Sequence, residues 1–222
     1  MTYEAERALM CAVGKLLYDR GYVAANDGNL SMKTAPDRLL VTPSGVSKGR
    51  LTPDMLLVTD LEGNVLEGNR HPSSETKMHL AVYRGRLDVG AVVHAHPPVS
   101  TAFAVCRRGM ETPYLSELVT GLGAVPCTPS FAMLSTDQVP RSVEPYLADH
   151  CAVLLANHAA LTWGEDLWEA FDRMETVEHT AKILLNARLL GDPVALTQEE
   201  TAELRSMQGM YRQLRQGREE TP

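Results

Sequence analysis

Residues 89–98, Val-Gly-Ala-Val-Val-His-Ala-His-Pro-Pro, constrain this chain more than any other stretch. The run reads as a buried strand that stops at Pro97 and Pro98, because proline has no N–H to give to a sheet ladder. His94 and His96 lie two apart on that strand, so their rings share one face. Neutral imidazole suits zinc and other late divalent metals, and three protein ligands leave one position open for chemistry. Alone, the pair is weak support for a metal, since hydrogen bonds satisfy two histidines at a strand end equally well.

A third ring follows the same pattern. Ala152–Ala156 is a second short apolar strand, and His158 stands just past its end as His96 does. A parallel sheet would bring His94, His96 and His158 together. The other histidines, His71, His79, His150 and His179, fall in loops or expected helices and read as structural or solvated. Glu75 is the best fourth group, in the first turn of a helix expected from Ser73 to about Arg84.

The same region carries a second theme. His71-Pro-Ser-Ser-Glu75 places two hydroxyls and free backbone N–H groups at a helix start, which attracts anions. The alternative is that Ser73 caps its own helix. Thr42-Pro-Ser-Gly45 and Asp27-Gly-Asn-Leu-Ser31 are further loops of small polar residues and glycine. Together the three loops would form a phosphate cradle; separately each is an ordinary turn.

Elsewhere the 222 residues read as helices around a strand-rich middle. Leu9, Ala12, Val13, Leu16 and Leu17 recur at helical spacing, with Gly21 as a stop. Leu39–Thr42 and Met55–Thr59 read as strands, and Asp60–Asn64 as a turn between strands. A helix is expected from Ser100 to Arg107. A longer one is marked by Leu167, Phe171, Met174, Val177, Ala181 and Leu184. A last helix opens at Thr197, where Thr197-Gln-Glu-Glu200 has the form of a capping box. The tail from about 216 to 222 is expected to fray. No repeat or linker divides the chain, so residues 1–222 are expected to form one α/β domain.

Composition excludes several classes of protein. Hydrophobic residues at 44% and charged residues at 22% rule out general disorder. A formal net charge of −7 argues against a sequence-independent grip on nucleic acid or an anionic membrane. No apolar run approaches the roughly 18 residues of a membrane span. Cys11, Cys106, Cys127 and Cys151 contain no Cys-x-x-Cys pair and read as reduced thiols. The first residues lack a basic stretch followed by an apolar one, so the expected location is cytoplasmic.

Five short motifs occur in one order: Gly28-Asn-Leu-Ser31, Thr42-Pro-Ser-Gly45, Pro72-Ser-Ser-Glu75, Val93-His-Ala-His-Pro97 and Ala156-Asn-His158. In this the chain resembles class II aldolases of the fuculose-phosphate aldolase type, in the aldolase/adducin head superfamily, from about residue 4 to about residue 190. The resemblance implies a three-layer fold with a central sheet flanked by helices. It also implies a zinc lyase that cleaves a ketose 1-phosphate, such as L-fuculose 1-phosphate, into dihydroxyacetone phosphate and an aldehyde. His94, His96 and His158 would hold one zinc per subunit. Glu75 would complete the resting site and then serve as acid/base. Gly28, Asn29, Ser44, Gly45, Ser73 and Ser74 align with phosphate-binding positions. The assembly implied is a homotetramer with active sites at subunit interfaces.

Two positions depart from that pattern. The fuculose enzyme uses a tyrosine from a neighbouring subunit as proton donor, and that column falls near Leu115, with Tyr114 one residue off. Glu117 resembles the acid of methylthioribulose-phosphate dehydratases in the same superfamily, which lack the glutamate found here at position 75. Retention of Glu75 favours an aldolase. A phosphosugar epimerase, dehydratase or decarboxylase is the alternative, and a non-catalytic adducin-like scaffold ranks below it.

Overall fold

A computed structural model describes residues 2–216; the frayed end expected beyond 216 lies outside the described residues. Seven strands form one sheet: β1 (Asn29–Ala35), β2 (Arg38–Val41), β3 (Leu57–Thr59), β4 (Val65–Glu67), β5 (Ala91–Ala95), β6 (Ala152–Leu155) and β7 (Ala159–Gly164). Their order across the sheet is β4-β3-β2-β1-β5-β7-β6. The helices are α1 (Glu4–Asp19), α2 (Thr76–Gly85), α3 (Pro98–Val105), α4 (Ser116–Gly121), α5 (Gln138–Val143), α6 (Leu167–Leu190) and α7 (Gln198–Gln216).

Alternation along the strands builds two apolar layers. Leu40, Val93 and Leu154 face the side covered by α1, α3 and α6. Their neighbours Leu39, Val41, Val92 and Val153 face the other side, where Met78 and Val82 of α2 and Val139 and Val143 of α5 pack. The expected three-layer α/β arrangement is therefore the one observed.

The expected parallel sheet is not. Every neighbouring pair of strands is antiparallel. Residues 156–158 are too short to carry the chain back for a parallel partner, so β6 turns directly into β7. Both β5 and β6 run antiparallel to β7, which lies between them. They therefore point the same way, and their C-terminal ends share one sheet edge. The convergence expected of the histidines survives on a different topology.

Other expectations shift by a few residues. The helix anticipated from Ser73 begins at Thr76, with Glu75 at its N-cap position rather than in its first turn. The loop read at Asp27–Ser31 is a loop only to Gly28, and Asn29 already belongs to β1. The box at Thr197 forms as read: Thr197 N–H donates to Glu200 Oε2 at 2.7 Å, and Glu200 N–H donates to Thr197 Oγ1 at 3.2 Å.

Arg7 had no sequence signal as a core residue, yet it is 1% exposed. Its guanidinium donates to the carbonyls of Thr2, Pro53 and Leu56 and pairs with Glu67 at 2.7 Å. It thus ties α1 to the segment leading into β3. Arg7→Met should strand these acceptors and cost about 3–5 kcal/mol of unfolding free energy, measured by urea denaturation. A loss below about 1 kcal/mol would show that water replaces the guanidinium.

Candidate metal centre

Two segments, the end of β5 and the β6–β7 turn, deliver the three rings. His94 is the penultimate residue of β5 and is fully buried, and His96 lies just past the strand with its N–H donated to Tyr22 O at 2.8 Å. His158 sits in the β6–β7 turn, where Asn157 takes a left-handed conformation (φ 57°). Arg107 Nε donates to Asn157 Oδ1 at 3.1 Å, and Asn157 N–H donates to Ala104 O at 3.1 Å, which fixes that turn against α3. Buried Glu178 of α6 accepts from the N–H groups of Val99 and Ser100, anchoring the start of α3 just after His96.

The ring centroids are 5.0 Å apart for His94–His96, 4.9 Å for His94–His158 and 5.1 Å for His96–His158. One nitrogen from each ring lies within 4.8 Å of the others. Glu75 reaches the cluster from the start of α2: Oε2 lies 3.2 Å from His94 Nδ1, and Oε1 lies 3.3 Å from His158 Nε2. Asn29 Nδ2 donates to Glu75 Oε2 at 3.0 Å. Gly28 is required beside them: its φ is +71°, and a Cβ there would meet His94 O at 2.8 Å.

The donor set fits a divalent cation. His94 Nε2 and Glu75 Oε1 are buried and lack a hydrogen-bond partner, and such orphans are costly unless something binds them. Burial, with charge on His94, holds His96 and His158 at about 4, so both rings are unprotonated at neutral pH, the form that ligates metal. Burial opposes charge on Glu75, but His94, through its charge and its hydrogen bond, outweighs it and holds the carboxyl down at about 2.

The three polar loops do meet. Ser44 N–H donates to His71 O at 2.8 Å, and Ser73 N–H donates to Thr42 O at 3.3 Å. Thr42 Oγ1 accepts from Leu30 N–H at 3.0 Å, next to Asn29. Ser44, Gly45 and Ser74 are exposed, Ser73 is half-buried, and Gly28 and Asn29 are buried. Ser73 Oγ accepts from Glu75 N–H at 3.3 Å, so its hydroxyl serves its own helix start.

Tyr114 and Glu117 stand apart from this cluster. Tyr114 packs half-buried against the core on the α1–α3–α6 side. Glu117 is exposed and accepts from Ser116 Oγ at 2.9 Å. Among the described residues no hydrogen bond or ion pair links either one to Glu75 or the three rings.

Near the site, Lys48 is buried without any signal in the sequence, whereas His79, expected to be structural or solvated, is structural. His79, on α2, is 1% exposed, and its Nδ1 lies 2.7 Å from Ser31 Oγ, which in turn lies 2.8 Å from Tyr83 Oη. Burial, reinforced by charge on His94, holds this ring at about 3. A histidine depressed in the fold stays neutral while the unfolded chain takes up a proton below about 6.5. Stability therefore falls with pH through the window from 6.5 to 3, by about 1.4 kcal/mol per pH unit for this one proton. His79→Gln should remove that share of the slope in urea titrations between pH 6.5 and 5, and an unchanged slope would contradict the assignment.

The helix-flanked sheet thus gathers at one edge three imidazoles that could hold a metal ion, with a carboxylate and laced polar loops beside them. The model of the class II aldolase and adducin N-terminal domain matches residues 8–185, and the chain belongs to this family. It is 37% identical over 207 residues to 3-oxo-tetronate 4-phosphate decarboxylase of Escherichia coli (strain K12), covering 90% of this chain and 95% of that protein. It is 33% identical to 5-deoxy-D-ribulose 1-phosphate aldolase of Bacillus thuringiensis, covering 92% and 95%. A solved structure of L-fuculose 1-phosphate aldolase matches with a TM-score of 0.86 at 31% identity, over 93% of this chain and 97% of that one. The family is metal-dependent, and this chain is an enzyme of the lyase type. All four cysteines are free thiols, and among the described residues no helix is long and apolar enough to cross a membrane.

Proposed function

We propose that this enzyme breaks a carbon–carbon bond beside the ketone of a phosphorylated substrate and releases dihydroxyacetone phosphate. The observation that carries the reading is the carboxylate of Glu75, set 3.2 Å and 3.3 Å from two imidazoles of a three-histidine cluster. Zinc, one per subunit, held by His94, His96 and His158 with Glu75 as the resting fourth group, would stabilise the negative charge that develops on substrate oxygens. Gly28, Asn29, Ser44, Gly45, Ser73 and Ser74 would bind the phosphate.

Two substrate classes fit. A 3-oxo-tetronate 4-phosphate loses its carboxylate as CO2, and the bonding pair passes to carbon 2 and onto the ketone oxygen. A ketose 1-phosphate loses an aldehyde, and the pair passes to carbon 3 once the carbon 4 hydroxyl has given up its proton. Both leave the same three-carbon enediolate, and both need one proton delivered to carbon. Glu75 moves that proton.

Decarboxylation is the leading reading. Its support is the 37% identity to a decarboxylase over 90% of the chain, together with a chemical difference. CO2 departs without a proton acceptor, whereas aldol cleavage needs one, and the family's tyrosine column falls near Leu115, with Tyr114 one residue off. Ketose 1-phosphate cleavage is the second reading, favoured by the aldolase relative at 33% identity. A homotetramer with interfacial sites, in which Tyr114 or Glu117 enters from a neighbouring subunit, and a cytoplasmic location complete the proposal. Four free thiols agree with a reducing compartment.

The test supplies zinc-loaded protein with 3-oxo-tetronate 4-phosphate and, separately, with L-fuculose 1-phosphate and 5-deoxyribulose 1-phosphate. Dihydroxyacetone phosphate with equimolar CO2 supports the leading reading, and the same product with an aldehyde supports the second. Absence of dihydroxyacetone phosphate in every reaction would overturn both.

A further inference from the structure

Lys48 is a buried cation that the reaction above leaves unused. It lies in the 3-10 turn Lys48–Arg50 and is 1% exposed. Its Nζ donates to Asn26 O at 3.1 Å and to Val46 O at 2.6 Å. Asn26 is two residues before Gly28, and Val46 is one residue after Gly45. One ammonium therefore joins the two loops that are assigned to phosphate.

Both partners are neutral carbonyls, and among the described residues no carboxylate forms an ion pair with Lys48. An ammonium has three donors and a full charge, and carbonyls alone do not neutralise it. Burial pulls Lys48 down to about 8, and the more distant Asp27 and Glu75 offset this only in part. The turn that carries it is fixed: at Gly14 of α1 a Cβ would come within 2.9 Å of Lys48 O, so helix and turn are in close backbone contact. In the loop that Lys48 holds through Val46 O, Gly45 takes φ +72° with open space where a side chain would stand, and Ser44 is exposed, as is Ser74 of the third loop.

We propose that Lys48 is a specificity-determining residue: its buried charge makes the cradle select a phosphate dianion, while its two hydrogen bonds hold the Gly28 and Gly45 loops in register. This rests on the reading of those loops as the phosphate site. A dianion seated on the loops supplies the opposite charge that the fold itself withholds from the ammonium, and a neutral triose does not.

The test compares wild type, Lys48→Met and Lys48→Gln, all zinc-loaded, by calorimetric titration with inorganic phosphate, dihydroxyacetone phosphate and unphosphorylated dihydroxyacetone. Gln keeps a donor for a loop carbonyl and guards against a Met variant that fails to fold. The expected result is at least a tenfold loss of affinity for both phosphate-bearing probes in each variant, with dihydroxyacetone changed less than threefold. In turnover, KM should rise with kcat nearly constant. Unchanged phosphate affinity in the variants would overturn the inference and leave the phosphate reading standing. Equal losses for phosphorylated and unphosphorylated triose would reduce Lys48 to a loop staple and also overturn it. Failure of wild type to bind either phosphate probe would remove the phosphate reading itself, and this inference with it.

Discussion

Glu75→Gln is expected to slow exchange of the hydroxymethyl hydrogen of dihydroxyacetone phosphate with solvent deuterium by about 10²–10⁴-fold, the usual share of a positioned acid/base. This exchange is the proton step common to decarboxylation and aldol cleavage, so the prediction does not depend on which group leaves. Glu75 is held low, at about 2, and is therefore a carboxylate at neutral pH, able to accept a proton from carbon. An amide of the same shape cannot. The fold should persist, because the side chain caps no helix hydrogen bond and Asn29 Nδ2 still finds an oxygen acceptor. Proton NMR in deuterium oxide follows the exchange, with circular dichroism and zinc content as controls. Wild-type exchange in a zinc-loaded variant would remove Glu75 from the mechanism.

Stripping the metal with a chelator is expected to abolish turnover, by roughly 10³-fold or more, since a Lewis acid contributes several kcal/mol at such a centre. Secondary structure and a cooperative unfolding transition should remain. Two apolar layers cover both faces of the sheet. The transition midpoint should fall only by the linkage of metal binding to the folded state. His158→Ala should give a chain that purifies without stoichiometric zinc yet stays folded, because the ring is at a turn rather than in either core layer. Unfolding upon chelation would instead mark a structural site.

The local features of the site could be read from the chain itself. The strand at 89–96 follows from an apolar run stopped by two prolines, and the box at Thr197 from a four-residue motif. Such features depend on neighbours within a few positions, where spacing fixes geometry. The strands β1 and β7, the two longest of the sheet, were not legible. Asn29–Ala35 carries polar and small residues, and its pairing is decided by β2 and β5 on either side. Lys48 and Arg7 were missed for a related reason. Each is a polar residue buried by distant segments, and no pattern around it announces that burial.

The residue types at the centre, three imidazoles and a carboxylate beside small polar loops, were set by the sequence, and with them the chemistry available. Which of seven histidines meet was decided by strand order. Placing β7 between β5 and β6 sends two separate strands in one direction and brings their ends to a shared edge. Side-chain identity is a property of one position, whereas convergence depends on backbone hydrogen bonds between segments far apart in the chain, and only the folded sheet fixes those.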